Sequence, residues 1–248
     1  MLNIVIPMAG LGSRFSKAGY TIPKPLIPVN GIPMIQVVIK NLTPKQDHRF
    51  IFIVQKEQID KYALDKKLQE FAPGSIIYPI DYLTEGQACS ALLVEKYIDN
   101  DDPLMCANCD QFIDFNINDY LRKINDEDLD GLIMTMKSED DKWSYAKTDS
   151  NGFVIETAEK KVISEDATVG IFNFSKGSDF VKYVKKMIHD DLRVNNEFYI
   201  CPVYNYLIQN GKRIGIYPIG KEFDGMYGLG TPNDLEVFLS LPISKRIG

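Results

Sequence analysis

The feature that most constrains this chain is an alternation. Short apolar runs ("LNIVIPM", "RFIFIVQ", "SIIYPI" and "DPLMCANCDQF") trade places with helical segments ("PMIQVVIKNL", "KEQIDKYALDKKLQEF" and "GQACSALLVEKYI") over about the first 110 residues. The strand-like runs show no polar alternation, as expected of strands buried on both faces. Pro33 suits the first turn of its helix, and Ile59, Tyr62, Ala63 and Leu68 share the apolar side of theirs. Strand alternating with helix predicts an α/β fold with a mainly parallel, Rossmann-like sheet flanked by helices. Later residues supply further strands ("LDGLIMTMK", "TVGIFNF", "RIGIYPI"), a hairpin in "SYAKTDSNGFVIET", and helices expected near 178–189 and 197–210.

Composition narrows the function classes. With 45% hydrophobic and 25% charged residues the 248-residue chain is ordinary globular protein. A net charge of −6 without a Lys/Arg-rich block argues against a nucleic-acid partner. No apolar run approaches the roughly 20 residues that span a bilayer, so no membrane partner is expected. The opening "MLNIVIPMAG" has no basic leader region and reads as a buried strand, which sets the expectation of a cytoplasmic chain with its four Cys reduced.

Chemistry is suggested first by "AGLGSRF", Ala9 to Phe15, directly after the first strand. No G-K-[ST] closes it as a P-loop, and Phe15 stands where the dinucleotide fingerprint needs its third Gly. Gly10 and Gly12 still let backbone approach a phosphate chain, and Arg14 adds a planar fork for phosphate oxygens. Lys24 follows in "PKPLIPV", where the flanking prolines stiffen the backbone and present a long cation to an anionic ligand.

"IPMAGLGSRF", "PKPLIPVNGIPMI", "EGQACSAL", "NCD", "EKK", "GIFNF", "NNEFY" and "GLGTPNDL" occur in the order seen in nucleotidylyltransferases of the sugar-1-phosphate type. The sequence resembles that family over nearly its whole length. The resemblance implies one domain over residues 1–248, with a nucleotide-binding half near 1–115 and an acceptor-binding half near 116–248. It implies transfer of a nucleoside monophosphate from an NTP to a phosphorylated acceptor, with Mg²⁺ as cofactor and pyrophosphate released. Ala9, Gly10, Leu11, Gly12 and Ser13 would form the triphosphate loop, and Arg14 would clamp the leaving phosphates. Lys24 would span the α-phosphate and the attacking phosphate. Asp110 would hold Mg²⁺, and Lys160 would grip the acceptor phosphate. Gly86 and Gln87 belong to the base-binding segment, and Tyr145 and Glu197 to the acceptor side.

Counting back from Gly86, the base-reading place falls on Asp81. A carboxylate only accepts hydrogen bonds, so it suits cytosine N4 better than uracil O4. That leans towards CTP and the small cytidylyltransferases of capsule and surface-polymer synthesis. The opening is similar to the cytidylyltransferases acting on phosphoglutamine, making phosphoglutamine the first expected acceptor. Phosphocholine, or a hexose 1-phosphate with UTP or dTTP, stands as the alternative. A homodimer is left open. The family's C-terminal D-x-G-T is altered here, with Gly228 at the Asp position. Either Asp224 substitutes, or Mg²⁺ rests on Asp110, phosphates and water. A catalytically inactive nucleotide-binding subunit is the rival from another class; a glycosyltransferase would need a D-x-D that "CDQFID" lacks.

Cys106 and Cys109 form a C-x-x-C. On one continuous strand they would point to opposite faces about 10 Å apart, too far for a disulfide or a shared ion. The expectation is two packing thiols beside a working Asp110, with Cys89 and Cys201 also structural and His48 and His189 on the surface.

Overall fold

The computed structural model describes residues 1–247. In chain order its elements are β1 (Leu2–Pro7), α1 (Ser13–Lys17), a 3-10 turn (Lys24–Leu26), β2 (Pro28–Val29), β3 (Ile32–Pro33), α2 (Met34–Leu42), β4 (His48–Gln55), α3 (Lys56–Tyr62), α4 (Leu64–Phe71), β5 (Ile76–Ile80), α5 (Gln87–Leu92), α6 (Glu95–Ile98), β6 (Leu104–Ala107) and β7 (Gln111–Ile113). Then come α7 (Ile117–Asp126), β8 (Gly131–Lys137), β9 (Ser144–Thr148), β10 (Val154–Glu159), β11 (Asp166–Phe174), α8 (Gly177–His189), α9 (Val203–Gln209), β12 (Ile214–Glu222), β13 (Gly225–Gly228) and α10 (Pro232–Ser240).

Eleven strands form one sheet in the order β5-β4-β1-β6-β11-β8-β12-β13-β7, with the β9–β10 hairpin attached at β11. β1 pairs in parallel with β4 and β6, β4 with β5, and β12 with β8 and β13. β11 runs antiparallel to both β6 and β8, so one reversed strand separates two parallel blocks. The expected mixed, mainly parallel sheet is present.

Burial follows the pleat. Leu2, Ile4 and Ile6 enter one core cluster, while Val5 enters another on the opposite face. A third, smaller cluster gathers Phe15, Ile27, Met34, Leu229, Leu235 and Phe238. It packs the turn after β1, the "KPL" segment and the "GLGTPNDL" segment against one another. Arg14, Lys24 and Gly230 therefore arise from separate segments anchored in one apolar patch.

Four expectations change. The helix over 56–71 breaks at Ala63, whose φ of 51° turns the chain so that Leu64 and Leu68 reach the core. The helix over 86–98 divides into α5 and α6. The helix over 197–210 begins only at Val203, with Pro202 as its N-cap, which leaves Glu197 to Cys201 irregular. "DPLMCANCDQF" is two short strands, and β6 stops at Ala107, so Asn108, Cys109 and Asp110 form a bend instead of continuing a strand.

Candidate active site

The site opens at the carboxyl end of β1 and β6, where ligands gather in open α/β sheets. Three depressions share walls. One cleft, about 460 Å³, lies between the turn after β1, the Leu83–Gln87 loop and Asp110. A polar corner beside it is lined by Gly12, Ser13, Arg14, Lys24, Asp110 and Gly230. A second cleft, about 440 Å³, lies towards Lys142, Trp143, Glu159, Lys160 and Tyr199.

Gly12 takes a left-handed φ of 60°, and a Cβ there would sit 3.3 Å from Lys24 Cβ. Among the described residues, the N–H groups of Gly10, Leu11 and Gly12 donate to no backbone carbonyl. They are available to an anion in the first cleft, which Ala9, Gly10 and Leu11 line.

Lys24 Nζ donates to Asp110 Oδ2 at 2.7 Å, with both side chains less than a quarter exposed. Burial works against the lysine's charge, but Cys109 and Asp110, the latter also hydrogen-bonded, outweigh it and raise the ammonium above its usual range. Burial pushes the Cys109 thiol up to about 11, so at neutral pH that thiol is protonated. The Asp110 carbonyl accepts from Leu229 N–H at 2.8 Å, joining the bend after β6 to the "GLGT" segment. A Cβ at Gly230 would come within 2.6 Å of Asp110 Oδ2, so glycine there makes room for the carboxylate.

Gly86, with φ of 119°, has a role the sequence did not suggest. A Cβ on it would meet Phe198 O at 2.5 Å. Phe198 N–H donates to Glu85 O at 2.7 Å, and its carbonyl accepts from Ala88 N–H at 3.0 Å. Arg193 lies over the Phe198 ring at 4.4 Å and pairs with Glu85 at 3.3 Å. Glu197 is thereby set on the wall between the two clefts.

The second cleft carries both signs of charge. Lys160 Nζ donates to the Tyr199 hydroxyl at 2.8 Å, and that bond raises the ammonium. Glu159, next in chain, accepts from Ser144 Oγ, and burial raises its carboxyl. Arg14 lines both this cleft and the polar corner. Glu159, Lys142 and Asn108 are lining residues that sequence reasoning missed. Adjacency to Lys160 in "AEKK" and to Asp110 in "NCD" was the available signal.

Ala9, Gly10, Leu11, Gly12, Ser13, Arg14, Lys24, Gly86, Gln87, Asp110, Lys160 and Glu197 converge on these depressions. Three expected residues do not. Asp81 is exposed after β5, outside the lining; the loop before Gly86 presents Leu83 and Thr84 to the cleft instead. Tyr145 is fully buried in the core, its hydroxyl on Asp140 O at 2.7 Å, because the pleat of β9 turns it away from the cleft that Ser144 lines. Asp224 is exposed in the β12–β13 turn, four residues along the strand from Gly228, which pairs with Gln111. That places it about 13 Å from the Asp110 end and rules out a shared ion.

The donor set fits a hard divalent cation with few protein ligands. Among the described residues no group of three or more His, Cys, Asp or Glu side chains is poised for a metal. Asp110 offers one carboxylate, and phosphate oxygens and water would supply the rest.

A solved nucleoside-diphosphate-sugar pyrophosphorylase from Vibrio cholerae RC9 superposes with a TM-score of 0.82 at 27% identity, covering 96% of this chain and 100% of that one. A 2-aminoethylphosphonate cytidylyltransferase of Lancefieldella rimae is 46% identical over a stretch covering 37% of this chain and 43% of that protein. The aligned stretch thus spans less than half of that relative's length. A D-glycero-alpha-D-manno-heptose 1-phosphate guanylyltransferase of Campylobacter jejuni is 24% identical, with 78% of this chain and 86% of that protein covered. The family model described as nucleotidyl transferase matches residues 4–211, and the chain belongs to that family.

Proposed function

We propose that this protein transfers CMP from CTP to a small acceptor carrying a phosphate or phosphonate and an amine, releasing pyrophosphate. The observation that carries the reading is the meeting of two clefts at Gln87, Asn108 and Glu197, one with open backbone donors and the other with paired cations and carboxylates. The 2-aminoethylphosphonate cytidylyltransferase likeness supplies the lean towards CTP and an amine-bearing acceptor. Phosphoglutamine fits the same description, and surface-polymer synthesis is the setting it suggests.

In the reaction an acceptor oxygen bonds to the α-phosphorus while the bond from that phosphorus to the bridging oxygen breaks. The electron pair leaves on pyrophosphate. The attacking group is already ionised, so the residues' work is positioning and charge neutralisation. The Gly10–Ser13 turn binds the triphosphate. Arg14 clamps the leaving end. Lys24 bridges the nucleotide and the attacking oxygen. Lys160 grips the acceptor's anionic group, and Glu159 and Glu197 accept from its ammonium. Mg²⁺ held at Asp110 would neutralise phosphate charge when bound.

Glu159 and Glu197 would also accept from sugar hydroxyls, which favours a hexose 1-phosphate as the second reading. Pyrophosphate release decides it, measured for the four common NTPs crossed with 2-aminoethylphosphonate, phosphoglutamine, phosphocholine and hexose 1-phosphates. Turnover only with CTP and an amine-bearing acceptor is expected. Turnover only with a hexose 1-phosphate selects the second reading, and none with any pair removes both.

A further inference from the structure

Asn108 stands in the bend after β6, and three contacts fix it. Its backbone N–H donates to Gly170 O at 3.0 Å. Its side-chain Oδ1 accepts from Gln87 Nε2 at 2.9 Å. Its amide packs against Gly170, where a Cβ would fall 2.0 Å from Nδ2 and 2.6 Å from Cγ. Gly170 interrupts the β11–β8 register between Thr168 and Phe172 with a φ of 77°, so the strand bends at the place where the amide rests. Any larger residue at 170 would displace it.

With Oδ1 engaged, Nδ2 is the end left free. Among the described residues Asn108 Nδ2 donates to no protein acceptor, and it is not among the buried side-chain atoms left without a partner. Asn108 lines both clefts, as Gln87 and Glu197 do. The donor therefore sits between the place of the nucleotide and the place of the acceptor. Lys24 and Arg14 approach from the neighbouring polar corner.

We propose that Asn108 Nδ2 contacts the transferring group, donating to a non-bridging oxygen of the nucleotide's α-phosphate, and that Gln87 and Gly170 are the positioning residues that aim it. The inference rests on the nucleotidyl-transfer reading and adds a residue to it. A neutral amide suits this place. It adds direction to the cations' charge, and the Gln87 bond and the Gly170 contact hold it in place. A carboxylate there would face two anionic reactants at once.

The test uses the full chain with CTP and the best acceptor from the pyrophosphate assay, with Asn108→Leu, Asn108→Asp and Gln87→Leu. Loss of one preorganised donor to a developing charge typically costs about 10²–10³-fold in kcat. Asn108→Leu and Asn108→Asp are expected to lose about 10²-fold in kcat in alkaline buffer, with CTP affinity by calorimetry changed much less. As pH falls, Asn108→Asp should recover towards wild type relative to Asn108→Leu, because a protonated carboxyl donates again. Gln87→Leu should lower kcat by about tenfold, since the amide is freed to rotate but still present. If Asn108→Leu does not fold, the Asn108→Asp and Gln87→Leu results stand as the test. Wild-type kcat in Asn108→Asp, or an Asn108→Asp pH profile identical to that of Asn108→Leu, overturns the inference while leaving the nucleotidyl-transfer reading intact. Wild-type protein inactive with every NTP and acceptor overturns both.

Discussion

Lys24 Nζ lies 2.7 Å from Asp110 Oδ2, so in the free protein the chain's own cation occupies the carboxylate a divalent metal would need. A metal bound at Asp110 would compete with this lysine for one anion unless triphosphate oxygens drew the ammonium away. Manganese titrated into free protein should bind weakly by electron paramagnetic resonance, and markedly tighter once CTP is added. Lys24→Met should raise metal-only affinity while abolishing turnover. Equal manganese affinity with and without CTP would contradict this competition.

Asp110 and its neighbouring thiols separate by consequence. Asp110→Asn should remove turnover with little change in melting temperature. Cys106→Ser places a hydroxyl in a fully buried apolar site, at a cost of about 1–3 kcal/mol. Urea unfolding and activity on the same preparations check both. Loss of turnover in a well-folded Cys106→Ser protein would show that the thiol does more than pack.

Gly86→Ala should damage the protein through the chain it crosses. The new methyl meets Phe198 backbone atoms at 2.5–2.7 Å, on a residue already at a φ of 119°. Overpacking of this kind costs about 1–3 kcal/mol. Because Glu197 adjoins Phe198, the acceptor KM should rise along with the loss of stability, read by steady-state kinetics and urea unfolding.

Acceptor binding should carry the titration of Glu159. Burial raises this carboxyl, so its protonated form persists to higher pH than for an ordinary Glu. Only the ionised form pairs with an ammonium. The acceptor KM should therefore climb as pH is lowered towards the raised value, earlier than a free carboxylate would require. Glu159→Gln should raise KM throughout and flatten the part of the profile that does not belong to the acceptor's own phosphate or phosphonate. An unchanged profile in that variant would assign the titration to the acceptor alone.

Asp81→Gln should leave the preference among NTPs unchanged, because Asp81 is exposed and does not line the cleft. A changed CTP-to-UTP ratio would mean that the loop closes over the base and brings position 81 with it.

The strand–helix alternation of the first half was legible because burial on both sheet faces leaves continuous apolar runs, and β1, β4 and β5 fall within a residue or two of them. That Gly12, Arg14 and Lys24 line one polar corner was legible because they lie in short, stiff segments where spacing fixes position. Asp81 and Tyr145 were not. The first was counted across a loop, where no periodicity ties register to direction. The second depended on which face of β9 meets the core, and one residue decides that. The bend at Asn108–Asp110 is not legible in the sequence, because an apolar run does not reveal a break that Gly170, more than sixty residues on, makes possible.

Phe198, held on both sides of Gly86, has a consequence for recombining this protein with its relatives. Residues 83–88 and 192–199 touch through main-chain atoms, which no side-chain redesign can loosen. A chimaera that imports a new 192–199 loop without the matching 83–88 loop inherits a seam where carbonyl and amide no longer face each other. Exchanged as one cassette, the two loops keep that seam closed, and the cleft wall they build together can travel between scaffolds intact.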